Sequence, residues 1–295
     1  MKVGVSNARD AARKAWVGVG APILVLVLVT IVLAVATFAG FSREQDHAFE
    51  RSSSRLVASA VEGRARAMRS VTLDYANWTE AYNAVTVAWR QDWVDNNIYS
   101  TAADSMFIVR ANGAVRYAWI GEEIATQSEG IQSAAVRAVV AIPGLRDLAA
   151  AANFSGTVTH TMTSANGALM IVAVAPFSPE DESARVVSSA SDHDYMVIVD
   201  VLSPDELAEM GAAIDLQYLT FTALRSKAND EIVTQPLAAA EGQTIGVLSW
   251  RHARPGAAAF QARVWPVVFG LVLIGALTIL IARMLVSRQI GAMAR

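Results

Sequence analysis

The chain opens on a basic stretch and then loses its charges: from Ala15 to Ser42 no residue is ionisable and most are apolar. A second uncharged apolar run extends from Val264 to Ala282, between Arg263 and Arg283. About 20 apolar residues of helix cross the hydrocarbon core of a bilayer. The first run exceeds that length and the second just reaches it, so both predict membrane-spanning helices. Everything between them is one loop, ample for a core of ordinary domain size. The pattern divides the chain into a tail 1–14, a transmembrane helix 15–41, a stalk helix 42–72, a domain 73–253, a juxtamembrane and transmembrane helix 254–286, and the start of a linker 287–295. Ala34-Val35-Ala36 fits a signal-peptide cleavage site, but the run is longer than the roughly 7–15 residues of an h-region, which favours a retained anchor.

Inside the loop the periodicity changes. From Ser42 to about Ser70 there is no proline and only Gly63 among glycines, which predicts helix continuing out of the membrane. Phe49, Leu56 and Gly63 recur at seven, with Ala60 and Ala67 beside them. Such a thin seam suits pairing with a second copy, or one face of a helix leaning on its own domain. Leu73–Trp89 predicts a second helical stretch. Trp78, Tyr82, Trp89 and Trp93 fall at steps of 4, 7 and 4, which sets four aromatics on one helical face. Asp92–Ser100 is polar and turn-prone.

Strand patterns begin at Met106. Met106–Arg110 and Ala114–Ile120 flank Asn112-Gly113, and Gly156–Thr163 and Ala168–Ala175 flank Asn166-Gly167. Asn-Gly between alternating runs predicts a two-residue hairpin in both places. Gly130–Ala152 is Ala-rich helix broken at Pro143-Gly144, and Ser178–Asp194 is an acidic, Ser-rich surface loop. Tyr195–Leu202 is a strand. Ser203-Pro204-Asp205-Glu206 starts a helix, with Ser203 as N-cap and Pro204 in the first position. Leu216–Leu224 and Thr244–Arg251 are further strands, and Arg254–Arg263 leads as helix into the second apolar run. Strands joined mostly by hairpins make an antiparallel sheet with helices to one side. The fold class is α+β: a PAS-like antiparallel sheet with flanking helices and a long stalk helix, bracketed by two transmembrane helices.

Charge sets the orientation. The whole chain has 24 Lys and Arg against 27 Asp and Glu, net −3. Each tail carries +3, leaving −9 on the loop. Short basic tails stay cytoplasmic, so the loop lies outside, in the periplasm if the membrane is the inner membrane of a bacterium. An acidic loop argues against nucleic acid as a partner. There is no cysteine, so in an oxidising compartment the core alone must hold the domain.

Candidate chemistry is sparse. There is no Gly-x-Ser-x-Gly elbow, phosphate-cradling Gly loop or Cys nucleophile. Glu122-Glu123, on an extended segment, would point to opposite sides. Asp192-His193-Asp194 and Glu180-Asp181-Glu182 read as solvated charge. His47, His160 and His252 are isolated, so neither spacing nor residue type suggests a metal. Arg254, Arg263 and Arg283 bracket the second span, as interfacial anchors or as a coupling point.

Residues 74–83, Asp-Tyr-Ala-Asn-Trp-Thr-Glu-Ala-Tyr-Asn, followed by Trp93 and Asn96-Asn97, resemble the signature of the fourth CHASE-type domain, a sensory extracellular module associated with cyclases and histidine kinases. That signature looks like Asp-Tyr/His-Ala-x-Trp-Asp-Asp/Glu-x-Tyr, then a Trp and an Asn. Phe107-Ile108-Val109 and Asn112-Gly113 look like the family's first hairpin. Thr79 departs from it, standing where the family has Asp, which puts an acidic contribution at that position in doubt. The resemblance implies the extracytoplasmic input region of a transmembrane receptor. Its output would be a diguanylate cyclase, phosphodiesterase or histidine kinase beyond residue 295, with no catalysis or cofactor in this segment. It further implies a multi-pass membrane protein, expected as a homodimer, that meets a small-molecule ligand or a periplasmic partner. A membrane-anchored adaptor without its own output is the alternative. The ligand-binding candidates are Asp74, Asn77, Trp78, Tyr82, Trp93 and Asn97. Asp74, Trp78 and Tyr82 at steps of four would wall a pocket or pack a helix onto the sheet, and a stripe at helical spacing is core more often than site.

Overall fold

One helix, α1, runs from Val3 to Ala76 and carries the first apolar run and the stalk without interruption. The structure is a computed structural model that describes residues 3–141, 158–181, 183, 186, 194–223, 232–239, 242–251 and 253–293. After α1 come α2 (Thr79–Tyr82), a π-turn (Asn83–Val87), α3 (Gln91–Asn97), β1 (Ser105–Arg110), β2 (Val115–Ile120), a 3-10 segment (Glu122–Gln127) and α4 (Ser128–Ala141). Then follow β3 (Thr159–Ala165), β4 (Ala168–Pro176), β5 (Asp194–Leu202), α5 (Pro204–Ala213), β6 (Thr220–Thr222), β7 (Ile232–Ala238), β8 (Thr244–Arg251) and α6 (Pro255–Met293). This is a mixed helix and antiparallel-sheet fold, with two long apolar helices flanking it.

The chain forms two units, Met1–Arg51 with Ala253–Arg295, and Ser52–His252. In the first, α1 and α6 are both long and apolar enough to cross a membrane. They approach closely at two glycines. A side chain at Gly256 would run into the Ser42 carbonyl, and one at Gly275 would meet Val27 at 2.9 Å. Small residues at such crossings let helix backbones come together. The hydroxyls of Thr30, Thr37 and Thr278 donate to carbonyls one turn back, each at 2.8 Å, a bond that would satisfy them inside a bilayer.

In the second unit a five-stranded antiparallel sheet has the order β2-β1-β5-β4-β3, and a three-stranded one the order β6-β8-β7. Strand alternation sends Tyr195, Val197, Val199 and Val201 to one face, where they pack with Phe107, Met170, Val172 and Val174 against Ile131, Ala134, Ala135, Ala138 and Val139 of α4. The small alanines let α4 lie close on the sheet. On the stalk, Ser53, Val57, Val61, Ala65, Met68, Thr72 and Ala76 are buried at steps of three and four. That face of α1 covers the sheet's other side, where Arg64 reaches Asp200 of β5 and Glu62 reaches His160 of β3. β5 is buried along its whole length, as a central strand covered on both faces must be.

The hairpins differ from each other. Asn166 and Gly167 have φ of 54° and 84°, and Ala165 pairs with Ala168. This is the two-residue turn with both central residues left-handed that Asn-Gly favours. At Asn112-Gly113 only Gly113 is left-handed, at φ 85°. The loop there has three residues: Gly113 N–H donates to Arg110 O, and Arg110 N–H to Ala114 O. The two hairpins are therefore not of one type. Ser203 caps α5 through a complete capping box with Glu206.

Several other expectations fail. Asp92–Ser100 is not a turn but is mostly α3, because its polar side chains bond within the helix: Gln91 to Asp95, Asn96 to Asp92 O and Asn97 to Trp93 O. The strand expected over Leu216–Leu224 shrinks to Thr220–Thr222, since Asp215 and Tyr218 are left-handed at φ 58° and 59°. β7 was unforeseen. Pro236 within it demotes the pattern, yet β7 is an edge strand, where proline is tolerated. Glu122-Glu123 lie on the 3-10 segment rather than an extended one. The Pro143-Gly144 break, Asp192-His193, Glu182, Leu224 and His252 lie outside the described residues.

Candidate functional site

The site grows from the way α1 ends. Its last carbonyl, Ala76 O, accepts from Ser178 N–H at 2.9 Å, and the Ser178 hydroxyl donates to Asn77 Oδ1 at 2.5 Å. Two residues on, Glu180 N–H donates to Thr79 Oγ1 at 3.1 Å. The segment after β4 thus captures the helix terminus, and Trp78 turns extended at φ −73°, ψ 120°. Chain direction changes again at the π-turn, where Ala88 N–H bonds back five residues to Asn83 O. Trp78 and Tyr82 stand at the two ends of α2, Trp89 lies in the connection after the π-turn and Trp93 is on α3, so no single helix carries the four aromatics on one face.

These turns bring α3 beside the end of α1 and leave a cleft of about 440 Å³ lined by Asp74, Tyr75, Trp78, Asn96, Asn97 and Tyr99. That volume falls within the range of small-molecule sites. The Tyr75 hydroxyl donates to Tyr99 O at 2.6 Å and joins two of its walls; burial raises the pKa of that phenol above its usual value. Trp78 rests on Trp93 with ring centroids 4.9 Å apart and planes tilted by 59°, a favourable edge-to-face contact. No hydrogen bond or ion pair engages the exposed Asp74 carboxylate among the described residues.

Three of the six expected residues, Asp74, Trp78 and Asn97, line this cleft, and Trp93 supports Trp78 from behind. Asn77 and Tyr82 do not join them. Asn77 holds Ser178, and buried Tyr82 donates to Val186 O at 3.0 Å and accepts from Val186 N–H at 3.1 Å. Thr79, the departure from the family pattern, accepts a backbone bond and is not among the lining residues. Tyr75, Asn96 and Tyr99 were not expected in the site. The first two stand in the motif itself; nothing in the sequence marks Tyr99.

Two buried acids elsewhere are paired. Asp200 takes two bonds from Arg64, at 2.7 and 2.8 Å, and Glu206 lies 3.6 Å from the same guanidinium. Asp104 lies nearby; burial raises its carboxyl pKa, although a 2.6 Å bond from Val201 N–H opposes the shift. Asp194 meets Arg116 at 2.6 Å, and that guanidinium also lies 4.0 Å over the Trp89 ring and donates to Val85 O. A second concavity of about 340 Å³ sits on the three-stranded sheet, lined by Tyr218, Thr220, Ile232, Ser249, Trp250 and Arg251.

Residues 60–222, more than half of the chain, match the family model described as the CHASE4 domain. Among curated proteins no sequence matches. Among solved structures, the crystal structure of the Vibrio cholerae LuxQ periplasmic domain is similar at 14% identity and a TM-score of 0.44, over 68% of this chain and 97% of that chain.

Proposed function

Because this chain belongs to the CHASE4 domain family, we propose that it is the extracytoplasmic input region of a transmembrane signalling receptor, with the cleft at Asp74, Trp78 and Asn97 as its ligand site. The observation that carries this reading is the continuity of α1. Its apolar run and its cleft residues, Asp74 and Tyr75, stand on one helix. A ligand that binds more tightly to one arrangement of the cleft than another shifts the balance between them, by its differential affinity and no more. No proline interrupts α1 between residue 42 and Ala76.

The finer reading follows. The sensory domain spans about residues 73–253 and is PAS-like, which its five-stranded antiparallel sheet supports. The protein is a multi-pass component of a bacterial inner membrane, with the domain in the periplasm. It signals as a homodimer through the stalk: Leu56 is 45% exposed, and Gly63 has nothing within 4 Å of where a side chain would stand. Both lie off the face buried on the sheet, which favours pairing with a second copy over packing on the chain's own domain. The output of the whole receptor is a cyclase, phosphodiesterase or kinase. To test the reading, those activities are assayed for the intact receptor in membranes. Deleting residues 71–252 is expected to abolish regulation; unchanged output and unchanged regulation would sink it.

A further inference from the structure

Resting on the reading of the cleft as the input site, we propose that its ligand is an organic cation, an amine or a quaternary ammonium compound. The lining supplies what such a cation needs and little that another class would use. Asp74 offers a carboxylate that no described residue engages, and Tyr75, Trp78 and Tyr99 offer aromatic rings, with Tyr99 53% exposed. Asn96 and Asn97 each direct an amide N–H to a carbonyl of their own helix, while their side-chain oxygens accept no hydrogen bond from the described residues. No Lys, Arg or His is among the described lining residues, and the charged residues of α3 are Asp92 and Asp95.

Each competing class meets a penalty here. An anion would face Asp74 with no counter-charge. A neutral apolar molecule would cover the carboxylate and leave it without a partner, which is costly. A cation neutralises the acid and lies against the ring faces, whose quadrupole attracts positive charge. The molecule already contains one arrangement of this kind. Arg116 sits 2.6 Å from Asp194 and 4.0 Å over the Trp89 ring, an acid and an indole holding a cation between them. Asp74 and Trp78 present the same pair of groups with no side chain of the described chain bound between them.

The test uses the full chain in lipid nanodiscs and calorimetric titration with four probes: choline, propylamine, 3,3-dimethylbutan-1-ol (the uncharged shape of choline) and propionate. One of the two cations is expected to bind at least about tenfold more tightly than the alcohol or the propionate. Asp74→Asn is expected to weaken that cation by about tenfold and leave the alcohol unchanged. Asp74 is exposed and unpaired within the described chain, so a superimposable melting curve checks that the variant is folded. Equal binding of choline and the alcohol, cation binding indifferent to Asp74→Asn, or no cation binding at all would each overturn the proposal. The input-site reading is judged separately: if Trp78→Leu weakens the alcohol or propionate, the cleft remains a site for another class. If none of the four binds, that reading rests on the deletion test alone.

Discussion

Asp200, on β5, and Asp74, on α1, are both carboxylates beside the stalk helix, and they live opposite lives. Asp200 is fully buried, and Arg64 of the stalk satisfies it with two short bonds, with Glu206 close to the same guanidinium. Asp74 is exposed beside three aromatic residues, and nothing described in the chain is bonded to it. A buried charge must be paired, so Asp200 builds the scaffold: it ties the stalk to the central strand. An acid left unpaired beside aromatic rings does nothing for the fold and is available to a ligand. The same contrast separates the two tyrosines of the signature. Tyr75 lines the cleft, whereas Tyr82 is used up on the backbone of Val186.

The sharpest way to break the contrast is Arg64→Ala. It strands Asp200 without its partner, and unfolding should become easier by about 3 kcal/mol, the low end for a buried pair because Arg64 is partly solvated. Denaturant titration measures it. The double variant Arg64→Met with Asp200→Leu should recover most of that loss, since an apolar pair needs no compensation. If Arg64→Ala cost no more than a surface change, the pair would not be scaffold. Next comes Tyr82→Phe, expected to cost about 1 kcal/mol for the lost bonds to Val186 and to leave small-molecule binding unchanged. Altered binding would move Tyr82 from scaffold to site.

A pH series sharpens the scaffold side. Burial above all holds the His160 imidazole below its ordinary pKa; Arg69 adds to this and Glu62 opposes it. With the folded value depressed, the unfolded chain takes up the proton first. The stability tied to a neutral His160 is therefore complete above the unfolded pKa of about 6.5 and is lost as pH falls through it toward the folded value. Melting curves between pH 7.5 and 5.5 should show wild type losing stability that His160→Gln keeps. Equal losses would mean the stalk contact does not sense pH. The smallest effect belongs to the cleft: Asp74→Asn should change stability by less than about 0.5 kcal/mol, as exposed substitutions do. A loss as large as that of Arg64→Ala would erase the distinction.

Much of the fold was legible where local chemistry decides it. Asn166-Gly167 dictates its own turn, since both residues accept left-handed backbone. Ser203 and Glu206 announce the start of α5 by their spacing. The two apolar runs declare themselves by length. Legibility failed where distant segments intervene. Spacing alone carried the helical reading past Asn77, but Ser178, a hundred residues away, takes the last carbonyl of α1 and breaks the aromatic stripe. The polar run over Gln91–Asn97 hid a helix because its side chains bond internally. β7 was hidden by Pro236, which only its edge position excuses.

The sequence by itself determined the two apolar helices, the acidic loop between basic tails, the alternation of the sheet strands and the motif that marks the family. These depend on transfer to lipid, on charge and on side-chain period, all of which act residue by residue. It also named half of the residues that line the cleft. Only the tertiary structure decided which of them face one another. Asn77 and Tyr82 share the motif with Asp74 and Trp78, yet the segment after β4 turns the first two inward and leaves the other two beside Tyr99. That division depends on which backbone groups find partners across the fold, a contest between segments far apart in the chain that no local pattern records.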